Sequence, residues 1–372
     1  MIEIKEVKTA KQRKDFLDFA NKLYKGVPCY TPPLYSDEKT LFSNKNVYYD
    51  TCESVFFNAY DDNGKMVGRI HGILQHAANK KWGQKRVRFT RFDAIDDQEV
   101  ANALFAAVEN WAKEKGMEEV VGPLGFSDLE REGLLIEGFD QLSTFEEQYN
   151  YPYYQKLIEN LGYVKDVDWL EHKLSKPNIE SDRLKRLGNR MLERYNLRFG
   201  KPKNTAELIK KYAEGIFEML DITYAHIYGT VPLTDKVKKE LIKSFKLIVD
   251  PRFTDVIIDE NGKVVCFSIC FPSIAKAVQK SGGRLTLGCI LRILKAKRKP
   301  EILDLGLIGV SPEYRNKGVS TAMLSALLDL FDNGIKHAET NLNLEENNNI
   351  LNQWKNFEVV QHKRRRCFIK KI

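Results

Sequence analysis

The sequence comprises 372 residues, of which 43% are hydrophobic and 30% charged. This balance is typical of a globular protein and excludes a disordered or fibrous chain. The net charge of +8 is uneven, since residues 1–175 hold 23 Lys and Arg against 29 Asp and Glu, whereas the remainder holds 36 against 22. A basic second half predicts an anionic partner.

The sequence shows no pattern typical of a membrane span, an export signal or a metal site. No apolar run approaches the roughly 18 to 20 residues of a membrane span, and the amino terminus lacks an export signal, so we expect a cytoplasmic protein with no membrane partner. The six cysteines are scattered, and His71 and His76 have no third ligand nearby in sequence. We therefore predict reduced thiols and no metal site.

The first half predicts an alternation of helices and strands. Its predicted elements are a helix over 9–24, strands over 55–60, 66–74 and 87–94, a helix over 97–116, a strand over 119–122, a helix over 153–162 and a strand from 163. The pair Asn63-Gly64 lies between the strands over 55–60 and 66–74 and is a strong signal for a hairpin turn. The glycine-rich loop from Gly122 to Gly138, with Arg131, Glu132 and Glu137, is interpreted as surface.

The second half repeats this order. Its predicted elements are helices over 179–195, 205–225 and 235–249, strands over 253–259 and 263–271, a basic stretch over 276–299, a strand over 302–310, a helix over 318–331, a strand over 337–342, a helix over 348–356 and a strand over 359–372. Two similar halves predict an internal duplication, with domains at 1–175 and 178–372. The basic run 363–366 is expected on a solvated edge strand or a lid, with alternate residues on opposite faces, rather than in a nucleic-acid site.

The most informative segment is 305–324, LGLIGVSPEYRNKGVSTAML. An apolar strand leads through a turn to Arg315, and a helix begins near Gly318. A helix amino terminus offers unpaired N–H groups and a positive dipole end, and glycine lets a phosphate approach the backbone closely. Arg315 and Lys317 add positive charge and Ser320 adds a hydroxyl. The pattern predicts a pyrophosphate-binding loop.

This segment resembles the signature of the GNAT superfamily of N-acetyltransferases. Val310-x-Pro312-x-Tyr314-Arg315 matches its lead-in, and Arg315-x-x-Gly318-x-Ser320 matches its Arg/Gln-x-x-Gly-x-Gly/Ala motif, with Ser in the last place. The resemblance implies an α/β (α+β) fold of two tandem acyl-CoA N-acyltransferase domains. Each would be a mixed, mostly antiparallel sheet flanked by helices.

The resemblance also implies acetyl-CoA, or another acyl-CoA, as donor. The implied cofactor-binding residues are Ile308, Gly309, Val310, Arg315, Asn316, Lys317, Gly318, Val319, Ser320 and Asn347. The implied reaction is direct attack of a primary amine, on a small molecule or peptide, on the thioester. Asp304, Glu339 and Glu345 are candidate bases, and His226 and Tyr228 border the implied acceptor pocket. Trp354 stands where the family has a tyrosine acid, so the acid stays unassigned.

The corresponding helix start in the first half differs. The strand over 87–94 is followed by Asp96, Asp97 and Glu99, whose carboxylates repel a pyrophosphate. We therefore interpret residues 1–175 as a degenerate copy that does not bind CoA. Two alternatives stay open: a tRNA-dependent aminoacyltransferase of the peptidoglycan cross-bridge type, which needs no such loop, and a CoA-binding protein without turnover.

Overall fold

The computed structural model describes residues 1–177 and 181–372. The predicted start of the second domain at 178, and that of the helix over 179–195, lie outside these residues. Within them the strands are β1 (Glu3–Glu6), β2 (Cys52–Tyr60), β3 (Met66–Gln75), β4 (Arg86–Ala94), β5 (Glu119–Gly122), β6 (Leu134–Glu137), β7 (Val164–Ser175), β8 (Arg198–Phe199), β9 (Thr254–Ile258), β10 (Val264–Pro272), β11 (Ile302–Val310), β12 (His337–Thr340), β13 (Asn343–Leu344) and β14 (Glu358–Lys371). The helices there are α1 (Ala10–Leu23), α2 (Tyr35–Thr40), α3 (His76–Trp82), α4 (Gln98–Glu114), α5 (Tyr153–Glu159), α6 (Ser181–Arg194), α7 (Thr205–Thr223), α8 (Asp235–Phe245), α9 (Ala275–Gln279), α10 (Leu287–Arg298), α11 (Val319–Asp332) and α12 (Asn348–Trp354).

The strands form one continuous sheet in the order β1-β2-β3-β4-β5-β14-β7-β12-β11-β10-β9-β8, with β6 paired to β14 and β13 to β7. In the described part of the chain, β4 with β5 and β11 with β12 are parallel pairs, and the remaining pairs are antiparallel. The predicted mixed, mostly antiparallel sheet flanked by helices is confirmed. Each parallel pair is joined by one crossover helix, α4 in the first half and α11 in the second.

Local sequence explains the crossover helix α4. Asp97 caps it by accepting a hydrogen bond from the Glu99 N–H, and Val100, Leu104 and Val108, one turn apart, are fully buried against the sheet. Burying side chains of this size stabilises the fold by roughly 1.5–3 kcal/mol each. The predicted helix over 97–116 is therefore observed with its ends shifted by one or two residues.

The two halves exchange their last strands. β14, at the carboxyl end of the chain, lies between β5 and β7, and β7 pairs with β12 of the second half. Phe368 of β14 is consequently buried in the hydrophobic core of the first half, whereas Leu174 of β7 is buried in a core of the second. The sheet runs without interruption across the predicted domain junction.

The exchanged strands place charges inside the protein. Lys363 and Arg365 on β14 are fully buried, and Nζ and Nε lie 2.8 and 2.6 Å from the carboxylate of Glu171 on β7. Arg364 and Arg366 face the other side, where both contact Asp168. The predicted alternation along this run is confirmed, but the predicted edge position is wrong because β14 is internal. Removing one partner of a buried pair typically costs about 3–5 kcal/mol.

Candidate functional site

The predicted pyrophosphate loop has the backbone that an anion site needs. Gly318 precedes α11 with φ of 76°, in the left-handed region that favours glycine, and Asn316 has φ of 59°. No side chain caps the amino terminus of this 14-residue helix among the described residues, in contrast to α4. Apart from the Thr321 N–H, which donates to the Gly318 carbonyl at 3.0 Å, the first-turn N–H groups are thus available to a phosphate, and the helix dipole favours negative charge there.

The loop is narrow and positively charged. A Cβ added at Gly318 would lie 3.2 Å from Cγ of Met191 on α6, which is tighter than ordinary packing. Arg315 and Lys317 are exposed, and Lys317 Nζ lies 5.3 Å from the ring centroid of Tyr195. These residues fit the diphosphate of an acyl-CoA by backbone shape and by charge.

The strand that feeds the loop opens on one side. β11 pairs with β10 along its length but with β12 only from Ile302 to Leu305, and a register shift leaves Gly306 as an extra residue. Beyond that point, the Ile308 carbonyl accepts a hydrogen bond of 3.0 Å from the Tyr224 hydroxyl. The sheet therefore splays at the position where the sequence resemblance places the pantetheine arm.

A cavity of about 910 Å³, called here the central cavity, lies at this splay. It brings together ten of the predicted site residues: Ile308, Gly309, Val310, Arg315, Asn316, Gly318, Ser320, Asn347, His226 and Tyr228. In the described structure its lining does not include Lys317, which is exposed, or Val319, which is buried in a hydrophobic cluster.

The three predicted bases lie elsewhere in the described structure. Asp304 on β11 is opposite Glu339 on β12, and burial together with that neighbouring carboxylate raises the pKa of Asp304 well above its usual value. Glu339 contacts Lys363 Nζ at 3.2 Å, and Glu345 accepts a hydrogen bond of 2.6 Å from Arg364. None of the three is among the described residues that line the central cavity. Their role as bases stays a prediction.

A cluster of carboxylates from the first half lines the cavity instead. We call it the acidic wall; its residues are Asp128, Glu130, Glu132, Glu146 and Glu147. Three of them come from the glycine-rich loop that sequence reasoning assigned to the surface, yet Glu132 is 4% exposed and its Oε1 has no hydrogen-bond partner in the described structure. The adjacent acidic residues Glu146 and Glu147 were the sequence signal that could have indicated this cluster. The sequence alone does not show that they face the cavity.

The acidic wall holds its protons more tightly than free carboxylates do. Burial raises the pKa of Glu146 to about 7, although Arg131 opposes the shift, and burial raises the pKa of Glu147 to about 8 against the opposing effect of Arg365. Glu147 is 2% exposed, whereas Glu146 is half-buried and accepts a hydrogen bond of 3.4 Å from the Asn341 amide. Glu146 is therefore the more accessible of two groups that can exchange a proton near neutral pH.

Another part of the central cavity lining is hydrophobic. We call it the apolar wall; it includes Ile209, Ile216 and Leu220 of α7 and Leu241, Ile242 and Phe245 of α8. Apolar side chains that line a cavity favour a hydrocarbon ligand over water. The space exceeds what a two-carbon acetyl group fills.

Three aromatic or imidazole side chains complete the lining. Tyr228 donates a hydrogen bond of 2.5 Å to Asp166, and burial raises its pKa. His226 is exposed. Trp354 Nε1 donates to Asn343 Oδ1 at 2.7 Å, so the indole that replaces the family's tyrosine is already hydrogen-bonded. A tyrosine or histidine in this arrangement can orient an acceptor, and Trp354 cannot serve as a proton donor at neutral pH.

The splayed sheet, the glycine-bearing loop and the exchanged strands define a tandem GNAT-like fold. The tandem GNAT protein from the clavulanic acid biosynthesis pathway has this fold, with a TM-score of 0.58 and 12% identity over 100% of this chain and 98% of that chain. A GCN5-related glucosamine N-acetyltransferase region of a fungal multi-domain β-N-acetylglucosaminidase gives a TM-score of 0.59 and 12% identity over 100% of this chain and 38% of that one.

Two curated proteins are similar in sequence. Protein YghO of Escherichia coli (strain K12) is 27% identical over 369 residues, which cover 96% of this chain and 93% of that protein. Bacterial ceramide synthase of Caulobacter vibrioides (strain NA1000 / CB15N) is 26% identical over 295 residues, which cover 75% of this chain and 72% of that protein. No family model matches the chain.

Proposed function

We propose that the protein is an N-acyltransferase that uses an acyl-CoA to acylate the primary amine of a long-chain amphiphile. The observation that carries this proposal is one central cavity lined by residues of the predicted diphosphate loop, by the acidic wall and by the apolar wall. The loop suits the diphosphate of the donor, the acidic wall suits a cationic amine, and the apolar wall suits a hydrocarbon chain. The acetyl group expected from the sequence is the shortest acyl group that such a site would accept.

The second half of the chain binds the donor in this proposal. The first-turn N–H groups of α11 and the side chains of Arg315 and Ser320 hold the diphosphate, and Gly318 allows its close approach. The splayed end of β11 directs the pantetheine arm into the cavity, which brings the thioester to the acidic wall. Binding both reactants in one cavity lowers the entropic part of the barrier.

The first half of the chain receives the amine. An ammonium group is attracted to the acidic wall, and Glu146, whose pKa of about 7 leaves it largely ionised at slightly alkaline pH, accepts the proton. The neutral amine nitrogen then attacks the thioester carbonyl carbon. A C–N bond forms, the C–S bond breaks, the nitrogen gives up its second proton to solvent to become an amide, and the departing thiolate takes a proton from solvent.

The long-chain acceptor is proposed from the apolar wall and from one relative. A ceramide is the amide of a fatty acid with a long-chain amino alcohol, so the name bacterial ceramide synthase refers to a product in which an amide joins two hydrocarbon chains. The apolar wall of the central cavity offers a hydrophobic surface to the hydrocarbon chain of such an amine. Burial of each methylene contributes about 0.8 kcal/mol to binding.

Two other functions predict different results. A tRNA-dependent aminoacyltransferase needs no diphosphate loop, so the geometry of Arg315 to Ser320 counts against it. A CoA-binding protein without turnover is motivated by Trp354, because its N–H is committed to Asn343. Such a protein would bind CoA and release no thiol from acyl-CoA with any amine.

The test measures CoA thiol release with acyl-CoAs of increasing chain length and with short-chain and long-chain amines. We expect long-chain amines to be acylated with the highest kcat/KM. Ala213, which lies on α7 in the cavity lining, provides the matched variant. Ala213→Trp should lower kcat/KM about tenfold for long-chain amines and leave short ones unchanged. Equal losses for both classes, or no thiol release with any amine, would overturn the proposal.

A further inference from the structure

Helix α10 presents a row of leucines to solvent. Leu287, Leu291 and Leu294 are 83%, 67% and 50% exposed, and their spacing of four and three residues places them on one face of the helix. Isolated exposed leucines are ordinary, but a contiguous apolar face marks an interaction surface. We call these three side chains the leucine face.

The helix beneath the leucine face is firmly held. Thr286 caps it by accepting a hydrogen bond of 3.2 Å from the Cys289 N–H. On its inner side, Cys289 and Ile293 are fully buried in a hydrophobic cluster that includes Phe271 and Val278. The leucines therefore point outward because other side chains of the same helix already fill the core.

The chain segment that contains the leucine face carries positive charge alone, although Asp18, from another segment, pairs with Arg284. The sequence has no Asp or Glu between Glu260 and Glu301, while residues 276–299 contain eight Lys and Arg. Lys295, Arg298 and Lys299 are exposed at the carboxyl end of α10. A partner that matches this surface must offer apolar groups to the leucines and negative charge to the Lys and Arg side chains. An anionic lipid bilayer offers both, in its acyl chains and in its head groups.

We propose that the leucine face and its flanking cations bind an anionic lipid surface, with α10 lying in the plane of the interface. Leucines enter the boundary between head groups and acyl chains while Lys and Arg contact the acidic head groups. In residues 1–177 and 181–372, none of the helices has the length and apolar character needed to cross a bilayer. The attachment is therefore peripheral, which revises the sequence-based expectation of no membrane partner.

The lipid-binding surface is close to the central cavity. Phe245 and Phe271 stack with ring centroids 5.4 Å apart, line the cavity, and belong to the cluster that buries the inner side of α10. One hydrophobic layer thus separates the bilayer from the apolar wall. A long-chain amine from the bilayer would have to pass this one layer to reach the cavity; this consequence rests on the proposed function, whereas the binding itself does not.

The experiment measures cosedimentation of the full-length protein with vesicles, without substrate. We expect binding to vesicles of phosphatidylglycerol and phosphatidylcholine and little binding to phosphatidylcholine alone. The double variant Leu287→Gln/Leu291→Gln should bind at least about tenfold more weakly. Val360→Gln is the matched control, since Val360 is 62% exposed on β14, away from α10. Thermal unfolding of both variants should match the wild type.

A second pair of variants tests the charges. Lys295→Glu/Arg298→Glu should weaken binding about tenfold and reduce its dependence on salt, whereas Lys210→Glu on α7 should not. Equal vesicle binding by the wild type and the α10 variants would overturn the proposal. So would a wild-type dimer that fails to bind vesicles and dissociates in Leu287→Gln/Leu291→Gln, because the leucine face would then bind a second copy of the chain.

Discussion

The two crossover helices occupy corresponding places in the two halves but begin differently. α4 follows β4 and its first turn is capped by Asp97, whose carboxylate accepts the Glu99 N–H at 2.8 Å. α11 follows β11 and begins at Gly318, with no side-chain cap in the described structure. One helix end is satisfied by its own chain, and the other is left available for an external anion.

The two halves also contribute different groups to the central cavity. The second half contributes a cationic loop, and the first half contributes the acidic wall. In the proposed function the two copies divide the work, since the half without a glycine-bearing loop would supply the groups that attract and deprotonate the amine. A copy that does not bind the donor could therefore still contribute to the reaction.

The largest expected effect concerns the acidic wall. Glu146→Gln should lower kcat/KM about a thousandfold because an amide cannot accept the amine proton. In the wild type, kcat/KM should rise as the pH passes through about 7, where Glu146 ionises. That rise should disappear in Glu146→Gln while acyl-CoA affinity is kept. Glu137→Gln, in the exposed part of the same region, is the control. A rise near pH 7 that persists in Glu146→Gln would exclude this base.

The next effect concerns the loop glycine. Gly318→Val should weaken acyl-CoA binding about a hundredfold, or roughly 2.7 kcal/mol, because a side chain there has a strained φ and blocks the phosphate. Gly334 follows the other end of α11, also with positive φ and with open space around it, so Gly334→Val is a matched control for strain. Titration calorimetry of both variants separates the two causes. Equal affinities would remove Gly318 from the donor site.

A third change gives the start of α11 an acidic residue, as the start of α4 has. Ser320→Asp places a carboxylate in the first turn of α11, where it should weaken acyl-CoA binding about tenfold by repelling the diphosphate. The same charge favours a helix amino terminus, so the melting temperature should not fall. Lower stability together with unchanged affinity would contradict the assignment of this turn to the diphosphate.

The smallest effect is expected in the first half. Asp97→Ala removes the cap of α4 and should cost about 1 kcal/mol of unfolding free energy, measured by urea denaturation. Acyl-CoA affinity should stay at the wild-type value, because this helix end is not a donor site. A loss of affinity comparable to that of Gly318→Val would show that the first half binds the donor.

Local sequence predicted the local structure well. Hairpin turns, the strand over 302–310 and the helix near 318–331 were predicted from short-range patterns, and the structure has them within one or two residues. The strand exchange was not predictable from such patterns, because the place of β14 beside β5 depends on contacts more than 200 residues apart. For the same reason the basic run 363–366 was wrongly placed on an edge.

The candidate site divides in the same way. The proposed diphosphate loop is contiguous in sequence, so its residue types and order were sufficient to predict it, and its binding of a diphosphate stays a prediction. The acidic wall is assembled from separate loops at 128–132 and 146–147, and Asp304 and Glu339 lie on strands whose neighbours fill the space around them. Which carboxylates face a cavity depends on sheet order and burial, which no short motif encodes.

Hydrogen–deuterium exchange, with and without an acyl-CoA, tests the central claim most directly. The account predicts slower exchange of the amides in 316–322, at the start of α11, and no change in 96–101, at the start of α4. Protection at 96–101, or protection elsewhere with 316–322 unaffected, would contradict the assignment of the donor diphosphate to this loop.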